Sequence, residues 1–493
     1  MDFKEFDLSE DILKAIEIVG YKKPTKVQDQ VIPEMLICKE VLIFEKTGEG
    51  KTASFAIPIC EKLDWEINSP QALVVAPTRE LAIQIANEMS NIGKYKRLNA
   101  QPIYGKQDFD EEKTLLKQKC HVVVATVGRL FDHIERGTID LSRIKYFVLD
   151  EFDELTKTGF IEKVNEIIAS LPKERQNVFA SATIPENIDK ITRNYLDSPF
   201  VYDYRGNLGT EQEGSNIEES YICVDTTFDF SNETKKKSDF EKRMAILQAV
   251  IFQEKALKII VFCNTQLLVE NIYSELIRDC ESLFKIHGDM TQRDRIKALK
   301  GFANYGNTIL VSTNVTARGI HVDDVDLILN FEMPFESEKY THRIGRTARA
   351  GKSGKAVTIV GISQLNKFLE QNVERKEISE YEIYGIPNKS EFRLCFSKFN
   401  LTNSNFIEKQ KMDPSVTKLY FGGGKNKKLR ATDFVGTLCS IDGVDAEDIG
   451  VIKLGLDHTL IDVLNGKGKI VVNGMKEKKV KGKKLKINIA RNQ

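Results

Sequence analysis

Residues 41–52 read Val-Leu-Ile-Phe-Glu-Lys-Thr-Gly-Glu-Gly-Lys-Thr, and this stretch decides how the first part of the chain folds. The apolar run Val41–Phe44 is typical of a buried strand, and the residues after Thr52 begin a helical pattern. Between them, Gly48 and Gly50 let backbone N–H groups approach phosphate oxygens, and a helix N-terminus adds a favourable dipole. A strand, a glycine turn and a helix in this order predict a phosphate-binding loop.

The predicted loop supplies a cation and a hydroxyl. Lys51 is expected to reach the β- and γ-phosphates of a nucleotide, and the Thr52 hydroxyl to ligate Mg²⁺. Glu45 begins the loop, where Gly or Ala is usual, and its carboxylate would repel a triphosphate unless it points away. The predicted ATP-binding residues of the loop are Lys46, Thr47, Gly48, Glu49, Gly50, Lys51 and Thr52.

An acidic pair, Asp150 and Glu151, follows a second apolar run, Tyr146–Leu149. Open parallel sheets bind ligands at the carboxyl ends of their strands, so this pair is expected beside the phosphate loop. We expect Asp150 to hold Mg²⁺ through water and Glu151 to orient or deprotonate the attacking water. Together with Lys51 they form a predicted catalytic centre.

Short apolar runs alternate with amphipathic stretches over roughly the first 380 residues, which predicts parallel α/β sheets covered on both faces. The polar stretch Tyr204–Ser220 is predicted to link two such domains. The predicted domains cover residues 1–205, 215–388 and 415–493, with a linker at 389–414. The predicted strands are Val41–Phe44, Leu73–Ala76, Val122–Ala125, Tyr146–Leu149, Val178–Ser181, Ile259–Cys263, Ile309–Ser312, Leu327–Asn330 and Val357–Val360, and the residues Arg79–Met89 are predicted to form a helix.

The composition describes a globular protein, with 41% apolar and 29% charged residues. No apolar run is long enough to cross a bilayer, and the first residues lack the layout of a secretory signal. The eight cysteines include no CxxC pair, which favours reduced thiols over disulfides or a zinc site. We therefore expect a cytoplasmic protein with no membrane contact.

The charge is unevenly distributed although the total is zero. Residues 415–493 contain 16 Lys and Arg against 8 Asp and Glu, a net charge of +8, so the remainder carries −8. A basic tail on an acidic protein indicates contact with nucleic acid.

Ordered motifs across residues 1–365 resemble those of the DEAD-box RNA helicases, whose fold consists of two tandem RecA-like parallel-sheet domains. The matching segments are Phe3 with Gly20–Gln28, Pro77–Ala82, Thr126–Arg129, Asp150–Asp153, Ser181–Thr183, Val261–Thr265, Gln292–Arg295, Thr313–Val322 and His342–Arg349.

This resemblance implies roles for individual residues. Gln28 would hydrogen-bond adenine, and Phe3 would stack on it. Arg346 and Arg349 would be arginine fingers, whose planar charged forks can stabilise the γ-phosphate in the transition state. The residues implied to couple hydrolysis to RNA binding are Ser181, Thr183, Asp153 and His342. Those implied to contact RNA, mainly at phosphate and sugar, are Arg79, Thr126, Arg129, Asn264, Arg295 and Thr313.

The chain departs from the family pattern at six positions, none of which removes Lys51, Glu151 or an arginine finger. Glu45 replaces a small residue and Phe152 replaces the alanine of the acidic tetrad. The others are Val127 for proline, Asn314 and His321 for aspartates, and Ala348 for glycine. We expect activity, with its magnitude left open.

The basic tail has the order β-α-β-β-α-β, which predicts an α+β RNA-recognition-motif-like domain. The segments Leu419–Lys425, Asp448–Gly450 and Val480–Lys483 resemble the C-terminal domain of DbpA/YxiN-type helicases. This resemblance implies docking on a hairpin of 23S ribosomal RNA and a role in assembly of the large subunit. The predicted third strand, Thr459–Leu464, has no aromatic residue, so base stacking on the sheet is doubtful. The expected RNA contacts are basic loop residues: Lys425, Lys427, Lys428, Arg430, Lys481 and Lys483.

The favoured interpretation is an RNA-stimulated ATPase, using ATP and Mg²⁺, that opens short RNA duplexes in ribosomal RNA or a pre-ribosomal large subunit. One alternative is a non-catalytic, ATP-gated RNA clamp or assembly scaffold made inert by Glu45 and His321. A DNA motor is the other, and the motifs resembling RNA helicases argue against it.

Overall fold

The structure is a computed structural model, and it describes residues 2–45, 48–157, 160–182, 195–204, 217–225, 233–280, 282–313, 325–334, 336–348, 353–371, 378–388, 391–392 and 415–490. The chain divides into two compact units. One comprises residues 1–45, 50–204 and 409–493, and the other comprises residues 46–49 and 205–408. Each unit is described by itself.

The first unit contains a seven-stranded parallel sheet in the order β3-β4-β2-β5-β6-β1-β7. Successive residues of a strand face opposite sides, so Val41 and Ile43 lie in one hydrophobic core and Leu42 and Phe44 in the other. This explains the uninterrupted apolar runs. The strands are β1 (Val41–Phe44), β2 (Ala72–Ala76), β3 (Ala100–Ile103), β4 (Val122–Thr126), β5 (Tyr146–Asp150), β6 (Gln176–Ser181) and β7 (Phe200–Asp203).

Helices cover both faces of this sheet because each presents an apolar stripe to one of the two cores. Their bounds are α1 (Glu10–Val19), α2 (Lys26–Leu36), α3 (Lys51–Lys62), α4 (Arg79–Ile92), α5 (Phe109–Leu116), α6 (Val127–Glu135), α7 (Phe152–Lys157) and α8 (Ile161–Ala169).

The second unit repeats the arrangement with a parallel sheet in the order β10-β11-β9-β12-β13-β8-β14. Its strands are β8 (Ile217–Val224), β9 (Lys258–Cys263), β10 (Leu283–Ile286), β11 (Thr308–Thr313), β12 (Leu327–Asn330), β13 (Gly354–Gly361) and β14 (Ser379–Glu380). Its helices are α9 (Glu233–Glu254), α10 (Gln266–Leu276), α11 (Gln292–Asn304), α12 (Ser337–Ile344) and α13 (Leu365–Gln371).

The basic C-terminal domain is a four-stranded antiparallel sheet with two helices. Numbered within the domain, its strand order is 2-3-1-4, which is the order of an RNA recognition motif. The elements are β15 (Thr417–Phe421), α14 (Ala431–Cys439), β16 (Ile449–Leu454), β17 (Thr459–Val463), α15 (Gly468–Gly474) and β18 (Ile487–Ile489).

Within the first unit, this domain contacts the parallel-sheet domain at the amino-terminal ends of β3 and β4. The Gln118 side chain donates to the Leu454 carbonyl at 2.7 Å and accepts from the Leu454 amide at 3.0 Å. Arg97 donates to the Ala446 carbonyl at 3.0 Å. The predicted nucleotide motifs follow the carboxyl ends of the strands, so the basic C-terminal domain sits at the opposite edge of the sheet.

All nine strands predicted for the two large domains are confirmed, with small extensions, and helix α4 runs to Ile92. The predicted linker Tyr204–Ser220 is wrong at its end, because Ile217–Ser220 begin β8 and pair with β13. Residues 205–216 of that linker and most of 389–414 lie outside the described residues, and the domain boundaries stay predictions. In the described part of the chain, no helix is long and apolar enough to span a membrane.

Candidate nucleotide and RNA sites

Three neighbouring strands bring the predicted nucleotide motifs to one edge of the first sheet. Strand β6 lies between β5 and β1, with Asp150 level with Ala180 and Phe44 level with Ser181. The ends of the three strands therefore differ by one residue in height. Glu45, Glu151 and Ala182 follow at the same edge, where parallel sheets bind their ligands.

The phosphate loop has the backbone that its glycines predict. Gly48 and Gly50 have φ of 97° and 90°, in the left-handed region that glycine adopts without strain. A Cβ at Gly50 would lie 2.4 Å from Gln28 Nε2, so a side chain there would collide with the neighbouring helix. Glu49 is half-buried. Lys46 and Thr47 lie outside the described residues.

Lys51 and Thr52 begin α3 directly behind Gly50, and both are 7% exposed. The Lys51 ammonium donates to the carbonyl oxygen of Glu45. Burial lowers the pKa of Lys51, and the negative charges of Asp150 and then Glu151 oppose this shift. A buried cation facing carboxylates is an arrangement suited to receiving a polyanion together with a metal ion.

Asp150 is the last residue of β5 and is 3% exposed. Burial raises its pKa to about 6, although the Lys51 charge opposes the shift. Glu151 adopts a φ of 49°, which is uncommon for a residue with a side chain, and its amide donates to Asp150 Oδ1 at 3.0 Å. Such backbone strain is frequent at catalytic turns.

The predicted coupling residues fall partly in this region. Ser181 is fully buried at the end of β6, and its carbonyl accepts from the Glu45 amide at 3.1 Å. Asp153 is 1% exposed on α7. Thr183 lies outside the described residues, and His342 belongs to α12 of the second unit.

The predicted adenine-binding residues differ in their surroundings. Gln28 on α2 accepts from the Thr25 amide at 3.1 Å and donates to the Gly50 carbonyl at 3.2 Å, so it contacts the phosphate loop directly. The Phe3 ring is 4% exposed and packs against Phe6 and Tyr21 at centroid distances of 6.1 and 6.4 Å. Its stacking on adenine stays a prediction and would require the ring to be uncovered.

Two departures from the family pattern have a structural account. The Glu45 carboxylate is 7% exposed and accepts a hydrogen bond of 3.0 Å from the Tyr202 phenol. The Phe152 ring lies between Phe44 and Phe179, at 6.5 and 5.9 Å. Asn314 and His321 lie outside the described residues.

The predicted RNA residues of the first domain surround one loop, residues 104–108. Arg79 begins α4 and lies against Gly105, and Thr126 ends β4. Arg129 donates to the carbonyls of Tyr104, at 3.2 Å, and Gln107. Arg129 therefore holds the shape of this loop.

Two residues near this loop were not foreseen. Glu112 is fully buried on α5; it pairs with Arg129 at 3.2 Å and accepts from the Tyr104 amide at 3.0 Å. Lys106 is exposed at the tip of the loop with a φ of 68°. Nothing in the sequence separates Glu112 from the exposed acids beside it, whereas a basic residue next to Gly105 is a signal that could have been used.

In the second unit, Asn264 and Arg343 form a buried network. Arg343 donates to Asn264 Oδ1 at 2.7 Å and to Asn330 Oδ1 at 3.1 Å, while Asn264 Nδ2 donates to the Met333 carbonyl at 3.0 Å. Burial lowers the pKa of Arg343 to about 10. The amide of Asn264, a predicted RNA contact, is thus engaged inside the domain.

The remaining predicted residues of this unit lie on its helices and strand ends. Arg346 follows α12 and is 3% exposed. Arg295 on α11 and Thr313 at the end of β11 are also nearly buried. Arg349 lies outside the described residues.

The basic residues of the C-terminal domain gather at two loops. Lys481 donates to the Lys428 carbonyl at 3.0 Å, and Lys483 donates to the Lys427 carbonyl, so the two predicted basic loops are adjacent. Arg430 is the N-cap of α14. Lys425 instead donates to the Thr114 carbonyl of the parallel-sheet domain at 3.4 Å.

Three family models match the chain. The model described as DEAD/DEAH box helicase matches residues 25–191, the helicase conserved C-terminal domain matches 241–351, and the DbpA RNA binding domain matches 418–489. All three lie in the order expected from the motifs.

Relatives and solved structures agree with these matches. The ATP-dependent RNA helicase DbpA of Bacillus subtilis is 41% identical over 99% of this chain and 99% of its own length. The DEAD-box ATP-dependent RNA helicase CshA of Geobacillus kaustophilus is 40% identical over 76% of this chain and 77% of its own. A structure of Mss116p bound to ssRNA and AMP-PNP has a TM-score of 0.66 at 27% identity, covering 81% of this chain and 86% of that one.

Proposed function

The chain belongs to the DEAD-box ATP-dependent RNA helicases with a DbpA-type RNA-binding domain, and on this premise we propose that it remodels structured ribosomal RNA during assembly of the large subunit. Family membership makes it an enzyme that hydrolyses ATP to ADP and phosphate and acts on RNA. Family membership therefore favours the RNA-stimulated ATPase over the non-catalytic, ATP-gated clamp.

The observation that carries the proposed site is that three motifs come together at one edge of the sheet. Gln28 touches Gly50, Lys51 touches the Glu45 carbonyl, and Asp150 lies among the charges that act on Lys51. In this proposal Gln28 reads the adenine edge, and the loop amides with Lys51 hold the phosphates. Lys51 would exchange the Glu45 carbonyl for a phosphate oxygen when ATP binds.

The residues at this edge fit Mg²⁺. The Thr52 hydroxyl and the Asp150 carboxylate are hard oxygen donors, which this ion prefers. Burial raises the pKa of Asp150 to about 6, which means that burial disfavours the charged carboxylate. A neighbouring cation would offset this effect by stabilising the charge. When bound, the ion would neutralise charge on the phosphate oxygens.

Glu151 is the proposed base or orienting group for the attacking water, because it follows Asp150 at the same strand end. Its strained backbone fixes the direction in which the carboxylate leaves the chain. Arg346 and Arg349 are the proposed arginine fingers. A guanidinium provides a fixed fork of donors for the charge that develops on the transferred phosphoryl group.

RNA contact by the first domain is proposed to involve the loop 104–108. Arg129 and Glu112 hold this loop from inside, while Arg79 lies beside it and Lys106 is exposed. Backbone amides and cations of this kind bind phosphate and sugar and read little sequence. Local opening of short duplexes without sequence preference is therefore expected.

The C-terminal domain is proposed to tether the enzyme, in the cytoplasm, to a hairpin of 23S ribosomal RNA. The Tyr420 ring is covered by His458, with centroids 5.5 Å apart, and β17 and β18 have no aromatic residue. Base stacking on the sheet is thus poorly supported. A groove between α14 and the lysines of residues 478–481 offers phosphate contacts instead, and it is lined by Thr432, Asp433, Gly436, Thr437, Ser440, Lys478, Lys479 and Lys481.

The experiment is steady-state ATPase with large-subunit rRNA fragments, unstructured RNA and DNA of equal length. We expect strong stimulation by fragments that contain the target hairpin, weaker stimulation by unstructured RNA and none by DNA. Glu151→Gln sets the background. Stimulation no greater than this background would refute catalysis, and equal stimulation by all RNAs would refute the rRNA tether.

A matched pair of full-length variants tests the tether. Lys481→Ala/Lys483→Ala removes two charges from the basic loop, and Lys467→Ala/Lys469→Ala removes two from elsewhere in the same domain. Only the first pair is expected to weaken binding of structured rRNA, by about tenfold or more. Equal losses would indicate a nonspecific effect of charge.

A further inference from the structure

Glu45 places a carboxylate at the beginning of the phosphate loop, and the fold buries it. Its exposed fraction is 7%, and it follows β1 directly. A buried carboxylate needs a partner, and one next to a phosphate site also opposes the binding of ATP. A small residue, usual for the family here, creates neither problem.

One hydrogen-bond partner of this carboxylate is Tyr202. Its phenol donates to Glu45 Oε2 at 3.0 Å, and its ring is 2% exposed. Tyr202 lies on β7, the edge strand, where it is level with Ile43 of β1. Strand β5, which carries Asp150, lies on the other side of β1. The hydrogen bond therefore directs the carboxylate towards the sheet edge and away from the acidic motif.

The backbone of Glu45 forms hydrogen bonds with residues of two motifs. Its carbonyl accepts from the Lys51 ammonium, and its amide donates to the Ser181 carbonyl at 3.1 Å. Even while the phenol holds it, the Glu45 carboxylate adds to the negative charge that acts on the Lys51 ammonium. Without the phenol, the carboxylate could move closer, pair with that cation and compete with phosphate.

We propose that Tyr202 is a positioning residue for ATP binding, which holds the Glu45 carboxylate at the sheet edge so that Lys51 stays available to the triphosphate. The inference rests on the proposed function, in which Lys51 binds phosphate. It assigns the edge strand β7 a role in nucleotide affinity.

The test is RNA-stimulated ATPase of the full chain, with KM for ATP and kcat measured separately. Tyr202→Phe keeps the ring and removes the hydrogen bond. We expect KM to rise about tenfold, in keeping with loss of a hydrogen bond to a charged group, and kcat at saturating ATP to change less than about twofold. An unchanged KM would overturn the proposal.

Rescue separates positioning from a structural role. Adding Glu45→Ala to Tyr202→Phe removes the carboxylate that the phenol restrained, so KM should return to near the wild-type value. A double variant as impaired as Tyr202→Phe would show that the phenol acts through packing alone and would overturn the proposal.

Further variants test whether a changed KM reflects a general defect in folding, and whether Lys51 binds phosphate as proposed. Glu45→Ala alone should leave KM unchanged or lower, and a raised KM would contradict a repulsive carboxylate. Tyr381→Phe removes a similar 2.7 Å hydrogen bond to Glu254 in the second unit and should not change KM. Lys51→Ala should abolish ATPase. Retained activity there would refute the proposed function, whereas an inactive Lys51→Ala with an unmoved Tyr202→Phe would refute this inference alone.

Discussion

The rings of Phe152 and Phe179 pack 5.9 Å apart, centroid to centroid, beneath the nucleotide motifs. Phe152 follows the acidic pair, and Phe179 lies two residues before Ser181. Phe44, next to Glu45, is the third member of this contact at 6.5 Å from Phe152. A residue that departs from the family pattern thus fills the core shared by the three motif-bearing strands.

Phe152→Ala should therefore destabilise the first unit even though alanine is usual at this position in the family. Phe152 is 2% exposed, and loss of a buried phenylalanine ring costs about 3–5 kcal/mol. Thermal unfolding of wild type and variant measures this. Phe152→Leu, which keeps most of the volume, is the control and should cost about 1 kcal/mol. An unchanged Tm for Phe152→Ala would contradict the core role.

The apolar runs predicted the strands because residues covered on both faces must all be apolar. Their ends were less predictable: Gln176 and Asn177 begin β6 through backbone hydrogen bonds, not through hydrophobicity. The Glu45–Tyr202 contact could not be predicted, because it depends on which strand lies beside β1. The strand pattern predicted that Lys51 and Asp150 lie near each other, since strand ends of a parallel sheet share one edge. The role of Gln28, which lies on α2, was implied only by the family resemblance.

Asp150 predicts a pH dependence of stability in the absence of Mg²⁺ and nucleotide. Its pKa is about 6 when folded, compared with about 3.9 in an unfolded chain. Between these values the folded state binds more protons, so this carboxyl makes the protein less stable as pH rises. From pH 5 to pH 7 the loss should be about 1 kcal/mol.

Asp150→Asn isolates this contribution because the amide does not titrate. The free energy of unfolding of wild type, minus that of Asp150→Asn, should decrease as the pH is raised from 5 to 7. Any effect of the substitution that does not depend on pH cancels in this comparison. Thermal unfolding of both proteins at the two pH values measures it. A difference that is constant, or that grows with pH, would contradict a raised pKa. Mg²⁺ should reverse the trend for wild type only.

Substitution of Glu112 is expected to weaken RNA stimulation of the ATPase without changing ATP hydrolysis in the absence of RNA. Its carboxylate is fully buried and binds Arg129 and the Tyr104 amide, and it also lies 3.1 Å from His133 Nε2. Glu112→Gln leaves the Arg129 guanidinium without its counter-charge, which loosens the loop 104–108. We expect the RNA concentration for half-maximal ATPase to rise about threefold to tenfold.

Glu111→Gln is the matched control for this variant, because it removes the same charge from an exposed neighbour on the same helix. It should leave the RNA dependence unchanged. If both variants weaken RNA stimulation equally, the effect is one of overall charge and the loop does not depend on Glu112. If neither does, RNA stimulation does not depend on the Glu112 carboxylate and the prediction is wrong.

The hydrogen bonds between Gln118 and Leu454 are expected to help hold the RNA-binding domain against the parallel-sheet domain. The Leu454 amide lies at the edge of its sheet and donates to Gln118 Oε1 at 3.0 Å, so its hydrogen exchange reports this contact directly. Gln118→Ala should speed exchange of that amide by about tenfold, in keeping with one hydrogen bond. Lys117→Ala is the control: it removes a positive charge that acts on Lys425, so exchange should be unchanged or slower.

Because Lys425 is both a predicted RNA contact and a donor to Thr114, structured RNA should also speed exchange at Leu454 in wild type. Exchange that is equally fast in all three proteins would show that the two domains are not held together in solution.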